Sequence, residues 1–270
     1  MKIHKKVIVV TGAGNGIGRE IVLNLLKKGA KVAAVDLNET FLNETVKLAN
    51  VKNTDLSIHV LNITDREAVK NLPEQIIKVH GQIDGLINNA GIIQPFVQIN
   101  KLEFEDIERV MNVNFYGSLN MIKALLPYFH KRPEAHIVNI SSMGGFLPVP
   151  GQSIYGASKA AIKLMSEGLY AELMDTNIQV SVVFPGAIGT NIATNSGLTN
   201  LPSGDSDTKN SSIKMLPPDK AAEIIVAGIE KNKVRIYVGS DSKIMNFLYR
   251  LSPGFATRLI GKKMKSLLPQ

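Results

Sequence analysis

Tyr155 and Lys159 stand four residues apart in Ile154-Tyr155-Gly156-Ala157-Ser158-Lys159-Ala160-Ala161-Ile162. In the helical pattern that Ser153 opens, this spacing sets a phenol and an ammonium on one face. A phenol in water gives up its proton only near pH ~10, too weakly acidic to serve as a base at neutral pH. An ammonium one turn away favours the phenolate, which suits the pair to proton transfer. Two serines, Ser141 and Ser142, close the apolar run Ala135-His136-Ile137-Val138-Asn139-Ile140 upstream. Asn114 interrupts Val110, Met111, Val113 and Phe115 within a helical stretch over residues 102–128. A polar residue there either faces solvent or bends the helix and holds water.

These side chains need a scaffold, and the first stretch of the chain supplies its pattern. The run Val7-Ile8-Val9-Val10-Thr11 enters Gly12-Ala13-Gly14-Asn15-Gly16-Ile17-Gly18, and a helical pattern (Ile17, Ile21, Val22, Leu25) follows at once. A strand feeding a helix through glycines gathers backbone N–H groups and the positive helix end around an anion, such as a dinucleotide pyrophosphate. A tight turn alone would use the same glycines. The next strand ends in Asp36, where a carboxylate can accept from an adenosine ribose and repel a 2′-phosphate. Leu37 and Asn38 carry no positive charge and Asn15 is not basic, so NAD is expected in preference to NADP. Asp36 would equally suit the N-cap of a helix from Glu39.

Strands and helices then alternate, predicting an α/β fold with a doubly wound parallel sheet of Rossmann type, about seven strands, covered on both faces. The first four strands end in Gly12, Asp36, Asn62 and Asn88, all small or polar. They collect at the carboxyl edge, where such sheets bind ligands. A sixth strand over 178–184 leads into Pro185-Gly186-Ala187-Ile188-Gly189-Thr190, residues 191–215 read as a loop, and a helix over 218–229 precedes a strand over 235–238.

The 270 residues suit one domain over 1–240 with a helical extension over 241–270. The absence of cysteine excludes disulfides and thiol catalysis, and the five histidines lack ligand spacing, so no metal is expected. No signal peptide or membrane span is read, and a cytoplasmic protein is expected. The net charge of +8 owes much to the tail, where Lys243, Arg250, Arg258, Lys262, Lys263 and Lys265 follow Asp241 with no further acid. Ile244, Phe247, Leu251, Phe255, Leu259 and Ile260 interleave with them, and Pro253-Gly254 splits the run into two helices. The tail reads as packing on the core or a neighbouring subunit, as a cap over a substrate pocket, or as an amphipathic segment on an anionic membrane. No module for nucleic acid is present.

The glycine loop from Thr11 to Gly18, Asn88-Asn89-Ala90-Gly91, Asn114, Ser142, Tyr155 with Lys159, and Pro185-Gly186 with Thr190 together resemble the short-chain dehydrogenase/reductase family over residues 5–240. The resemblance implies Tyr155 as base in alcohol oxidation and acid in carbonyl reduction, with Ser142 holding the substrate oxygen. Lys159 would hold ribose hydroxyls and tune Tyr155, and Asn114 would anchor a relay water. Gly12, Asn15, Gly16, Ile17 and Gly18 would line the diphosphate, and Asp36 the adenosine ribose. Asn62 and Ile63 would border the adenine, and Asn88, Ala90 and Gly91 the neighbouring ribose region. Ile188 and Thr190, beyond Pro185 and Gly186, would meet the carboxamide. Asn62 departs from the family's usual aspartate. The implied function is an NAD-dependent oxidoreductase acting on a secondary alcohol or ketone. Apolar loop residues (Phe96, Phe146, Leu147, Val149, Ile192) suggest a lipophilic substrate. The alternatives are a 3-oxoacyl thioester reductase using NADPH and a non-catalytic dinucleotide-binding regulator. Pairing into a homodimer or homotetramer through the helices over 102–128 and 153–176 is expected.

Overall fold

Strand β1 (Val7–Thr11) is buried along its whole length, and its alternate residues serve two different cores. Ile8 and Val10 pack with helices α1 (Gly16–Lys27) and α8 (Pro218–Glu230) on one face of the sheet. Val7 and Val9 pack with α3 (Arg66–His80) and α5 (Ser118–Phe129) on the other. A strand buried on both faces has to be apolar throughout, which explains the unbroken Val/Ile run. Each such side chain contributes roughly 1.5–3 kcal/mol by leaving water.

The computed structural model describes residues 1–52, 54–198 and 215–264. All seven strands are parallel, in the order β3-β2-β1-β4-β5-β6-β7. Besides β1 they are β2 (Lys31–Asp36), β3 (Leu56–Val60), β4 (Gly85–Asn88), β5 (Ala135–Ile140), β6 (Ile178–Pro185) and β7 (Arg235–Val238). The chain leaves the growing edge after β3 and re-enters beside β1 as β4. That reversal opens a crevice at the carboxyl ends of β1 and β4. The expected Rossmann-type architecture is therefore present.

The remaining helices are α2 (Glu39–Ala49), α4 (Phe104–Met111), α6 (Ser153–Leu173), α7 (Ile192–Asn195), α9 (Ser240–Leu251) and α10 (Pro253–Lys263). Between α4 and α5 the chain stays helical but widens into a π-helical segment, Asn112–Gly117. The stretch read as one helix is thus interrupted around Asn114, which is fully buried, so it does not face solvent. Of the loop read over 191–215, its first residues form α7, and residues 199–214 lie outside the described ones. No helix among the described residues is long and apolar enough to cross a membrane.

Candidate active site

The crevice is a cleft of ≈ 450 Å³ between the glycine loop, the end of β2 and α7. Gly12, Asn15, Gly16, Ile17, Asp36, Asn62, Ile63, Ala90, Gly91 and Thr190 line it, as expected from the sequence. Gly12 and Gly16 turn with φ of +64° and +53°, a backbone open to glycine with least strain. A Cβ on Gly18 would fall 1.9 Å from the Gly12 carbonyl oxygen, so Gly18 serves the approach of α1 to the loop and does not line the cleft. Asn15 caps α1, its side chain accepting from Gly16 N.

Asp36 accepts from Gly14 N at 2.9 Å through Oδ2 and from Asn38 N at 3.0 Å through Oδ1. Helix α2 is capped by Asn38, whose Oδ1 accepts from Phe41 N at 3.0 Å, so Asp36 is not the N-cap. No Lys or Arg is among the residues lining the cleft. Arg19, beside the loop, is engaged by the Gly14 carbonyl at 2.9 Å and by Glu44 at 2.7 Å. Asp36 therefore sets one carboxylate at the rim of the cleft, and the nearby Arg19 is engaged by the loop and by Glu44.

Some expected cofactor residues sit elsewhere. Asn88 is buried below the cleft floor and does not line it. Its Nδ2 donates to Asn139 Oδ1 at 2.9 Å and Ser118 O at 3.2 Å, tying β4 to β5 and α5. Asn89, the next residue, lines the cleft instead and holds the glycine loop through Thr11 O and Gly12 O. Pro185 ends β6, and a Cβ on Gly186 would collide with the Asp241 carboxylate, so both shape the loop from behind. Ile188 pairs with Leu216 and packs on the core. Asn62 accepts from Thr64 N and Oγ1 at 3.0 and 2.9 Å, so its oxygen already has partners.

Asn114, Ser142, Tyr155 and Lys159 do not themselves line the cleft; Lys159 and Asn114 lie directly behind its lining residue Gly91. A Cβ on Gly91 would lie 3.1 Å from Lys159 Nζ and 3.2 Å from Asn114 Oδ1. Lys159 is buried, donates to Ile140 O at 3.0 Å and has no acid within ion-pair range among the described residues. Burial pushes its ammonium down to about 8. Its Nζ lies 5.9 Å from the Tyr155 ring centre. Burial pushes the Tyr155 phenol above its ordinary value, and a hydrogen bond with Ser142 pulls it partly back. Burial thus favours the protonated phenol, against the pull of the neighbouring ammonium toward the phenolate. Ser142 projects from the end of β5 and also accepts from Gly144 N at 3.0 Å, while Ser141 turns inward to Lys159 O at 2.7 Å.

Asn114 uses its whole amide. Oδ1 accepts from Ile92 N at 2.9 Å, and Nδ2 donates to Ile92 O at 3.0 Å and Ser158 Oγ at 2.9 Å. The π-helical widening turns this side chain inward to clamp the segment after β4 against α6. The Asn114 main-chain carbonyl in turn accepts from Ser118 Oγ at 2.9 Å.

One residue escaped the sequence reading. Gln94 is fully buried, and its Oε1 accepts from Ile154 N at 2.7 Å and Tyr155 N at 2.9 Å. These are orphan donors in the first turn of α6, so Gln94 fixes the start of the helix that carries Tyr155. Gln152 reinforces it by donating to Gln94 O at 2.8 Å. No local signal announces a cap whose partner lies sixty residues away.

The short chain dehydrogenase family model matches residues 6–200. A Mycobacterium tuberculosis protein named as oxidoreductase SadH is 35% identical over 268 residues, covering 98% of this chain and 97% of that one. A short chain dehydrogenase of Burkholderia cenocepacia, solved with NADP, superposes with a TM-score of 0.79 at 25% identity, covering 98% of this chain and 99% of that chain. A 3-ketoacyl-(acyl-carrier-protein) reductase of Brucella melitensis, solved with NADH, superposes with a TM-score of 0.77 at 26% identity, covering 89% and 99%. The glycine loop, the parallel sheet and the Ser142, Tyr155 and Lys159 group accord with these matches: the chain belongs to the short-chain dehydrogenase/reductase family of oxidoreductases.

Proposed function

We propose that this protein is an NAD-dependent oxidoreductase that moves a hydride between nicotinamide and a lipophilic secondary alcohol or ketone. The observation that carries the reading is a buried lysine with no acid in ion-pair range among the described residues, set beside a half-buried phenol and behind Gly91 of the Asp36-bearing cleft. The nicotinamide, when bound, accepts or donates the hydride and brings positive charge in its oxidised form. Tyr155 takes the alcohol proton during oxidation and returns one to the carbonyl oxygen during reduction. Ser142 donates a hydrogen bond to the same oxygen and fixes its approach. Lys159 holds ribose hydroxyls and lowers the cost of the phenolate, with Asn114 anchoring a relay water. Asp36 accepts from the adenosine ribose and disfavours NADP. Ile92, Val113 and Ile192 lend the cleft apolar walls. We place the work of the protein in the cytoplasm, as a homodimer or homotetramer. Phe104 on α4 and Leu164 on α6, 77% and 69% exposed, favour pairing through those helices.

A second reading, a 3-oxoacyl thioester reductase, is favoured by the likeness to the Brucella reductase. Oxidation of NADH and NADPH across a panel of lipophilic ketones and acyl thioesters separates the two. We expect kcat/KM to be at least about tenfold higher with NADH, a difference of ~1.4 kcal/mol, and ketones to be the better substrates. A preference for NADPH would refute the role of Asp36. Turnover of thioesters alone would establish the second reading, and dinucleotide binding without any turnover would leave a non-catalytic regulator.

A further inference from the structure

The tail presents two unlike faces. Its inner face, Met245, Tyr249, Ala256, Ile260 and Met264, closes a small core with Met143, Phe146 and Leu147, the residues that follow Ser142. The Phe146 and Tyr249 rings lie 6.4 Å apart within it. The packing and cap readings of the tail therefore share one seat, beside the substrate oxygen's proposed anchor.

Its outer face is apolar as well. Ile244, Phe247 and Leu251 on α9 are 57%, 62% and 68% exposed, and Phe255 at the start of α10 is 51% exposed. At 100° per residue the three on α9 fall within about 60° of arc, a single stripe. Lys243 and Arg250 run along one side of that stripe, and Arg258, Lys262 and Lys263 follow on α10, all exposed. No Asp or Glu occurs after Asp241. Large apolar side chains held in water cost free energy unless something covers them. The charge identifies the cover. A second copy laid on this face would bring like charges together, whereas an anionic lipid surface complements them and accepts the aromatic and aliphatic side chains below its headgroups.

We propose that α9 and α10 dock the enzyme on an anionic membrane surface, outer stripe inserted at the headgroup boundary, with the segment after Ser142 lying directly behind. If Ser142 and Tyr155 are the substrate site proposed above, a lipophilic substrate then enters from the bilayer side. The docking itself does not depend on that reading.

Co-sedimentation with vesicles tests it, using the full chain and lipid alone. Binding is expected to vesicles of phosphatidylcholine mixed with phosphatidylglycerol, to be weak with phosphatidylcholine alone, and to fall about threefold or more as salt is raised. Arg250→Gln and Lys262→Gln should each lower the partition about fivefold. Phe247→Ser combined with Leu251→Ser should abolish it while dinucleotide binding and turnover of a water-soluble ketone stay unchanged, which shows that the variants fold. Wild-type protein that stays in the supernatant with both lipids would overturn the proposal, as would variants that sediment like wild type. A wild-type dimer that Phe247→Ser with Leu251→Ser converts to monomer, with no lipid binding by either, would assign the stripe to a second copy instead.

Discussion

Two buried charges sit at opposite ends of the same sheet and are treated in opposite ways. At the amino ends of the strands, Asp84 is fully buried and fully partnered. It accepts from Val7 N, from Gln82 Nε2 and from Arg132 Nε, each at 2.8 Å. At the carboxyl ends, Lys159 is nearly as buried, yet only the Ile140 carbonyl answers it among the described residues. A carboxylate enclosed by donors locks β1 to the turn before β4 and to the end of α5. The Lys159 ammonium, held by one carbonyl among the described residues, instead carries a burial cost that lowers its pKa to about 8. The difference separates architecture from chemistry, because a purely structural lysine would have found an acid.

Substitutions at the two ends sharpen the contrast. The largest effect is expected from Tyr155→Phe, which should lower kcat by about 10²–10⁴, the range of a lost acid/base. Dinucleotide affinity by fluorescence titration should change little. Asp84→Ala leaves Arg132 and Val7 N without their acceptor and should lower stability by about 3 kcal/mol in denaturant melts. Lys159→Met should do the reverse in the cofactor-free protein. Its ammonium, pushed from 10.5 to about 8, is carried at full cost below pH 8, so the substitution should raise stability at neutral pH by up to about 3 kcal/mol. The gain shrinks as pH climbs from 8 toward 10.5, where the native lysine sheds its proton while the unfolded one still holds it. Equal losses of stability from both substitutions would erase the distinction drawn here. The smallest effect belongs to Gln94→Leu, which uncaps Ile154 N and Tyr155 N. It should cost about 1 kcal/mol of stability and lower kcat about tenfold while leaving dinucleotide affinity alone, the mark of a positioning residue.

What the sequence made legible, and what it hid, follows the range of each interaction. Local periodicity and punctuation located the start of α2 at Glu39, the strand β7 over Arg235–Val238 and the opening of α8 at Pro218. The break at Pro253 separated α9 from α10. The glycine loop was readable because its turn and its helix are neighbours in the chain. The inward role of Asn114 was only half readable, since a π-helical widening differs from an ordinary helix by one residue per turn and leaves the apolar pattern nearly intact. Asn88 and Asn89 could not be told apart by type. The pleat sends successive side chains to opposite faces, and only the register of β4 against β1 decides which one reaches the cleft. Gln94 and the seat of the tail on Leu147 depend on contacts between distant segments, which no local pattern encodes.

The pH dependence of alcohol oxidation in wild type and Lys159→Met tests most directly whether the Lys159 ammonium tunes the phenol. Oxidation requires the phenolate, so kcat should rise with pH to a plateau governed by Tyr155 in the complex. Without the ammonium that rise should move to higher pH, since burial then acts on the phenol with less opposing positive charge. Superimposable profiles for the two proteins would contradict the account and reduce Lys159 to a ligand of the ribose.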